Sequence, residues 1–319
     1  MNSYGTSPVI SVVMSVHNGE KYLREAVESI LNQAFRDFEF IIIDDGSTDC
    51  SKQMLEQYAA KDPRIRLISR EYRGRPKSLN EGIALAKGEL IAIMDADDVS
   101  LPERLVKQIA HLKKHRSCVA VGGYALRIDC DGDPINLWEV PVSHGAVDSH
   151  HIAGDVAGMI HPAVTIRLKA LTDIGGYDER LSVAQDLDLW LRLAEVGELA
   201  NLPEVVLKYR VHFASVTMQK RLLQTNAAKQ VISEARRRRK LPPGRLQDWS
   251  QWVHMPTWKI KEEWVISALN AGNYRTAKKH ALAIAVAKPL RREHWRLLAR
   301  TLLAGRPRLS RAIKLILLR

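Results

Sequence analysis

The chain has 319 residues, a formal net charge of +12 and 46% hydrophobic residues. That length and apolar content exclude a disordered tail and a small disulfide-stapled module, and leave room for one large domain or two moderate ones. No stretch approaches the roughly 18 to 20 apolar residues of a membrane span, and the N-terminus lacks a basic segment ahead of a long apolar run, so a cytoplasmic protein without a secretion signal is expected.

Val9 to Val16 is an almost unbroken apolar run that stops at His17-Asn18-Gly19, the pattern of a buried parallel strand entering a turn. Tyr22, Leu23, Val27, Ile30 and Leu31 then recur at helical spacing. A second apolar strand, Phe38 to Ile43, runs into Asp44-Asp45-Gly46-Ser47, and a helix follows through Met54, Leu55 and Tyr58. A third strand near Ile65 to Ser69, a helix from about Ser78 to Ala86 and a strand from Leu90 to Met94 continue the alternation. Such alternation predicts a parallel sheet with helices on both faces, and ligands gathered at the carboxyl ends of its strands.

The fourth strand ends in Asp95-Ala96-Asp97-Asp98. Residues two apart in a strand point the same way, so Asp95 and Asp97 share one side of the sheet edge. Carboxylates so close repel, and a hard cation such as Mg2+ or Mn2+ relieves the repulsion by taking oxygen ligands. The competing interpretation is an acidic turn ahead of a helix near Pro102, with Ser100 as its N-cap. Asp44 and Asp45 exceed what a turn already holding Gly46 requires, and suit hydrogen bonding to a base or ribose.

Further on, Val119 to Asp129 and Ile135 to Val140 form an expected hairpin around the sequence DCDGDP. That turn lacks the later bidentate Glu of a calcium loop and is expected to be a solvated tip. His144, His150, His151 and His161 are scattered rather than spaced for zinc, with His161-Pro162 at a pocket edge. Cys50, Cys118 and Cys130 are odd in number and lack metal-ligand spacing, which suits a reducing compartment and a role as buried or partly buried fillers. Asp186 opens a helix whose packed face is Leu187, Trp190 and Leu191; it is either a dipole-favoured N-terminal acid or a catalytic base.

Taken together, SVVMSVHNGEKYLREAVESILNQAFRDFEFIIIDDGSTD, LNEGIALAKGELIAIMDADDVSLPERL, HPAVTIRLKALTDIGGYDERL, QDLDLWLRLAEVG and KYRVHFASVT resemble glycosyltransferase family 2. These are inverting enzymes of the GT-A fold that use nucleotide sugars. The resemblance covers about Pro8 to Val216. It implies a mostly parallel α/β sheet sandwiched by helices over residues 1–218; residues 219–319 lie outside the resemblance and are expected to form a basic α-helical extension. It implies further that Ser15, Val16, His17, Asn18 and Asp45 line the nucleotide pocket, with Lys77 and Asn80 nearby. Asp95 would contact the ribose and, with Asp97, a divalent metal on the diphosphate. Asp186 would be the general base, and His212 a late metal or phosphate ligand.

Three positions depart from the family pattern: His17 stands where an aromatic is usual, Gln185 where Glu precedes the base, and Leu79 where Arg precedes Asn80. The expected reaction moves a sugar, from a UDP-linked donor, to a hydroxyl of a glycan or lipid-linked acceptor in envelope polysaccharide or lipopolysaccharide synthesis. A nucleotidyltransferase of the same fold would show a basic, glycine-rich phosphate loop after the first strand, which SVHNGEKY is not. A catalytically silent nucleotide-binding or membrane-docking protein is the other alternative.

The net charge divides unevenly. Residues 1–218 carry 24 Lys and Arg against 31 Asp and Glu, a net −7, whereas 219–319 carry 24 against 5, a net +19. A helix from Leu222 to Lys240 ends in ARRRRK, and Trp249, Trp252, Trp258 and Trp264 follow, with one helical-hairpin unit around Ala268 to Ala287. Such a tail is either a helical subdomain with a solvated basic face or a docking surface for an anionic membrane, holding the protein at the inner face of the plasma membrane. No recognition module accompanies the charge, which argues against nucleic acid.

Overall fold

A computed structural model describes residues 7–154, 158–242, 244, 246 and 249–304. The described chain gathers into two compact units, one from residues up to 125, 139–209 and 220–248, the other from 126–138, 210–219 and the segment from 249 onward. The charge boundary at 218 therefore does not coincide with the packing boundary. Residues 220–248 belong with the first unit, and 126–138 and 210–219 with the second.

The first half alternates as expected: β1 (Ile10–Val16), α1 (Glu20–Leu31), β2 (Phe38–Asp45), α2 (Ser51–Lys61), β3 (Ile65–Arg70), α3 (Arg75–Ala84) and β4 (Leu90–Asp95). β5 (Val99–Ser100), α4 (Arg104–Lys114), β6 (Cys118–Ile128), β7 (Pro134–Trp138) and α5 (His144–Ala153) follow. Next come β8 (Thr165–Arg167), α6 (Leu168–Asp173), α7 (Gln185–Leu193), β9 (Glu198–Arg210), α8 (Val216–Gln219) and α9 (Arg221–Arg238). The sheet runs β3-β2-β1-β4-β8-β6-β9-β5, with β7 paired to β6. β1 to β4 are parallel, with β1, β2 and β4 buried and β3 at the sheet edge, whereas β8 joins both β4 and β6 antiparallel. Ile10, Val12, Val13, Phe40 to Ile43 and Ile91 to Met94 are all inaccessible to solvent, as strands covered on both faces must be.

Register levels the functional ends of the strands: Val16 lies opposite Asp44, and Ser15 opposite Asp95. Beyond them the chain caps two helices reciprocally. Ser47 Oγ accepts from the Asn18 amide, Ser51 Oγ from Gly19 and Asp49 Oδ2 from Glu20, while Glu20 Oε2 accepts from Cys50 and Asp49 Oδ1 from Ser51. The amides that open α1 find acceptors on the segment before and at the start of α2, and that of Cys50 finds one on α1, while the Ser51 amide is answered locally by Asp49. Cys50 sits exposed in this exchange rather than buried.

Ser100 is not an N-cap. β5 pairs antiparallel with β9, which places Ser100 opposite Leu207 in the sheet, and its Oγ accepts from Gln33 Nε2. α4 starts later, at Arg104, a fully buried guanidinium that donates to the carbonyls of Ile93 (2.9 Å) and Val164 (3.1 Å). Gln108, one turn on, donates to Ala163 and accepts from Thr165 Oγ1. Satisfied buried polar groups of this kind fix one arrangement of β4, β8 and the 161–165 segment, because any slip would strand them without partners.

α9 lies along the first unit through its arginines. Arg236 donates to the Ile152 carbonyl, Arg238 pairs with Glu195 at 2.9 Å, and Arg239 pairs with Asp148 at 2.8 Å and with Glu195 at 3.1 Å. Most of the ARRRRK cluster is therefore an intramolecular brace rather than a solvated basic face.

The second unit contains β7, α8, α10 (Ser250–His254), α11 (Thr257–Asn270), α12 (Tyr274–Ala287) and α13 (Arg292–Ala304). α11 and α12 form the expected helical hairpin, and Trp264 is buried, stacked on Phe213 at 5.2 Å and edge-on to His280 at 5.5 Å. The DCDGDP turn is not a solvated tip. Asp129 has no solvent exposure; its Oδ1 accepts from the amides of Asp131 and Asp133, and its Oδ2 meets His280 Nε2 (2.8 Å) and Lys279 Nζ (2.5 Å). Lys279 also reaches Asp131 and Asp133, so an ammonium from α12 stands where a loop of this composition could have held a cation. The closing segment 308–319 and Pro243 lie outside the described residues. No helix among the described residues is long and apolar enough to cross a membrane.

Candidate active site

Three strand ends of the first unit build the site. At the β4 end, Asp95, Asp97 and Asp98 bring one carboxylate oxygen each to within 4.8 Å of the others, and Asp98 is buried. An all-carboxylate oxygen set is the ligand chemistry of Mg2+ or Mn2+. Asp95 is also gripped from within the protein: Arg75, at the start of α3, forms a salt bridge to its Oδ1. Burial pushes the Asp95 carboxyl up, but the charge of the Arg75 guanidinium and its hydrogen bond outweigh it and hold the group well below the usual carboxylate range.

Arg75 Nη2 has a second acceptor, His161 Nδ1 at 2.9 Å. A guanidinium only donates, so Nδ1 accepts and Nε2 carries the proton, which it gives to Tyr177 Oη at 2.8 Å. His161 is buried and also packs against the Trp190 ring at 5.9 Å. Tyr177 is held at its backbone by Asn80, which donates to the Tyr177 carbonyl and accepts from its amide, each at 2.9 Å. Gly176, at φ +69°, permits that approach, since a Cβ there would lie 2.6 Å from Asn80 Oδ1. Asn80 therefore shapes the site through Tyr177, and Lys77 stands exposed on α3.

At the β1 and β2 ends, His17 Nδ1 donates to the Asp45 carbonyl (2.8 Å), leaving Nε2 to accept from Asn18 Nδ2 (3.3 Å). Asn18 adopts φ 53° and its Oδ1 accepts from the Thr48 amide. Asp45 is buried, and its two oxygens accept from the amides of Arg73 and Gly74 at 2.8 and 2.9 Å. Those bonds pin the 72–74 loop, and Gly46 lets it come close, because a Cβ there would lie 2.6 Å from the Tyr72 amide nitrogen. The exposed Tyr72 ring is thereby set 4.7 Å from His17.

Asp186 sits half-buried in the first turn of α7, its Oδ1 accepting from the Leu187 amide at 2.9 Å. Its charge is felt at Arg75, Tyr177 and Tyr209, which puts it on the same side as the acidic strand end. Burial raises the Tyr209 hydroxyl far above its ordinary value, and Asp98, Asp97, Asp95 and Asp186 add to that in turn. The residue before α7, Ala184, is held at φ 56°, a left-handed conformation that costs a non-glycine residue about 1–3 kcal/mol and tends to persist at functional sites. His212 is not a member of the three-carboxylate group. The chain leaves the sheet after Arg210, where the Val211 amide bonds to the Ile128 carbonyl, and His212 belongs to the second unit.

The description glycosyl transferase family 2 matches residues 11–175, just over half of the chain. The putatively named glycosyltransferase EpsE of Bacillus subtilis is 37% identical over 66% of this chain and 74% of its own length. The chain belongs to glycosyltransferase family 2. Further similarity within the family is to the O-antigen biosynthesis glycosyltransferase WbnJ of Escherichia coli, 34% identical over 64% of this chain and 80% of that protein. Among solved structures, the mannosyltransferase PcManGT of Pyrobaculum calidifontis, in complex with GDP-Man and Mn2+, superimposes with a TM-score of 0.57, covering 94% of this chain and 86% of that one at 19% identity. The protein is thus a glycosyltransferase of the GT-A fold.

Arg75, His161 and Tyr177 were not singled out for the site by their sequence setting, apart from the pocket-edge position of His161. Arg75 lies in the basic run RGRPK at a strand-to-helix junction, a legible signal, whereas the joining of His161 to Tyr177 depends on packing.

Proposed function

We propose that this family 2 glycosyltransferase inverts the anomeric centre of a nucleotide-diphosphate sugar while passing the sugar to a hydroxyl of a polysaccharide or lipid-linked acceptor. The observation that carries this reading is that two sets of acidic groups, the carboxylates at the end of β4 and Asp186 on α7, act electrostatically on the same neighbours, Arg75, Tyr177 and Tyr209. Asp97 and Asp98, with Asp95 beside them, would hold Mg2+ or Mn2+. When bound, the ion supplies neutralisation of the charge that develops on the departing diphosphate, worth several kcal/mol in such sites. Asp186 takes the proton from the acceptor hydroxyl as that oxygen attacks the anomeric carbon. Ser15, Val16, His17, Asn18 and the Tyr72 loop receive the nucleoside, with Asp45 organising the loop rather than presenting a free carboxylate. The similarity to an O-antigen glycosyltransferase supports an envelope polysaccharide as the product.

A thermal-shift titration with UDP, GDP and their sugars, with and without Mn2+, tests the donor assignment. A ligand at 100 times its Kd adds about 2.7 kcal/mol of stability. One nucleotide class should therefore raise Tm clearly, more so with Mn2+, and Asp97→Ala should abolish the metal-dependent part. If no nucleotide shifts Tm under either condition, the reading fails.

The same reading places the acceptor at a lipid surface, and the second unit offers the means. At the turn between α12 and α13, Leu290 is 96% exposed and Val286 63%, and Trp295 is held beside the turn by its Nε1 donating to the Pro289 carbonyl. Lys288, Arg291, Arg292 and Arg296 flank them in sequence, all exposed, with Arg291 paired to Glu293 at 3.2 Å. Apolar tips flanked by cations complement an anionic bilayer, where each Lys or Arg contributes roughly 1 kcal/mol. The full-length protein should co-sediment with phosphatidylglycerol-containing vesicles and not with phosphatidylcholine vesicles, and Leu290→Glu should weaken that binding. Equal binding to both vesicle types, or binding to neither, excludes this docking.

A further inference from the structure

Arg75 holds two acceptors on a single nitrogen, the buried His161 and the half-buried Asp95. One N–H of Nη2 is taken by Asp95 and the other by His161 Nδ1, while the side chain as a whole stays about a third exposed. Guanidinium groups on long side chains ordinarily sample several rotamers. Here one nitrogen is tied at two points, which fixes the plane of the whole fork. The second tie holds only if His161 presents a lone pair at Nδ1. Tyr177 enforces that by accepting from Nε2, and Asn80 in turn fixes the Tyr177 backbone. The T-shaped contact of His161 with Tyr177 (5.8 Å) and its contact with Trp190 keep the ring from turning over.

We infer that His161 and Tyr177 are positioning residues that aim Arg75 at the diphosphate of the donor, so that Arg75 is a protein-borne cation of the diphosphate site beside the carboxylate group. This rests on the nucleotide-sugar reading above. Arginine suits the task because its planar fork matches two phosphate oxygens at once, and holding it in advance removes the ordering cost at the moment of binding. His161 does not touch the ligand in this scheme; it acts through Arg75.

The test is a double-mutant cycle on the full-length protein, with UDP, GDP and inorganic pyrophosphate in Mg2+ as probes and isothermal titration as readout. Arg75→Lys should weaken diphosphate binding about tenfold, the scale of losing a charge-assisted bidentate contact. His161→Ala should weaken it several-fold in the wild-type background yet change it less than twofold when Arg75 is already lysine. Tyr177→Phe, which removes only the hydroxyl, should weaken it in the same direction with Tm preserved, and in transfer assays should raise the donor KM more than it lowers kcat. Additive effects of Arg75→Lys and His161→Ala overturn the inference while leaving the nucleotide-sugar reading intact. Failure of the wild type to bind any of the three probes overturns both.

Discussion

Replacing Asp186 by asparagine is expected to lower kcat for sugar transfer by about 10²–10⁴-fold, the usual contribution of a positioned base, while donor affinity changes less than twofold. The substitution conserves shape. An asparagine side chain at this position would still accept from the Leu187 amide through its carbonyl oxygen, so the first turn of α7 keeps its anchor and only the ability to take a proton is lost. The neighbouring Ala184, held in its left-handed conformation, and the packed Leu187, Trp190 and Leu191 leave this turn little freedom to substitute another group. Transfer at the wild-type rate by the Asp186→Asn variant would remove Asp186 from the role of base. Loss of donor binding along with transfer would instead place it at the nucleotide.

The second large effect is expected far from any chemistry. Lys279→Met should destabilise the second unit by about 3 kcal/mol, the low end for stranding a buried charge, since the lysine itself is a third exposed. Asp129 would keep His280 and two backbone amides but lose its ammonium, and Asp133 would retain the exposed Arg275 at 3.9 Å. Burial pushes the Asp129 carboxyl up, yet bonds from His280, Lys279 and the two amides hold it far below its ordinary value. Burial likewise lowers the Lys279 ammonium, and the three carboxylates more than reverse this. A depressed acid contributes stability that is complete above its unfolded value, about 3.9, and is lost as pH falls below it. A raised lysine contributes stability that is complete below its unfolded value, about 10.4, and is lost as pH climbs through the folded one. Urea unfolding of the wild type should accordingly give a plateau that falls at both extremes, and in the Lys279→Met variant the alkaline fall should be smaller. An unchanged urea midpoint at neutral pH would show that the clamp adds nothing.

The legible parts of this chain were those written locally. Apolar runs that stop abruptly at polar residues marked β1, β2 and β4, and the carboxylates after Met94 marked one wall of the site, because strand burial and strand-end chemistry both leave a signature within a few residues. β8 and β5 were not legible, being three and two residues long and defined by their partners β4, β6 and β9 rather than by any pattern of their own. The same holds for Arg75, His161 and Tyr177, whose meeting is settled by separations of 86 and 16 residues. Charge and packing divide the chain differently for a related reason. The arginines of α9 read as a detached basic face, yet they answer Asp148 and Glu195, and a net charge does not report which acids its cations meet.

The reciprocal capping of α1 and α2 carries one more consequence. In many nucleotide-binding folds the exposed amides at the start of the first helix after β1 cradle phosphate directly. Here those amides are already answered by Ser47, Ser51 and Asp49, the last a carboxylate that would repel an incoming anion. The polypeptide has closed its own phosphate cradle at that mouth. Under the proposed reading, recognition of the anionic part of a donor would then fall to side-chain cations along the sheet edge, which are open to change by single substitutions in a way that a backbone cradle is not.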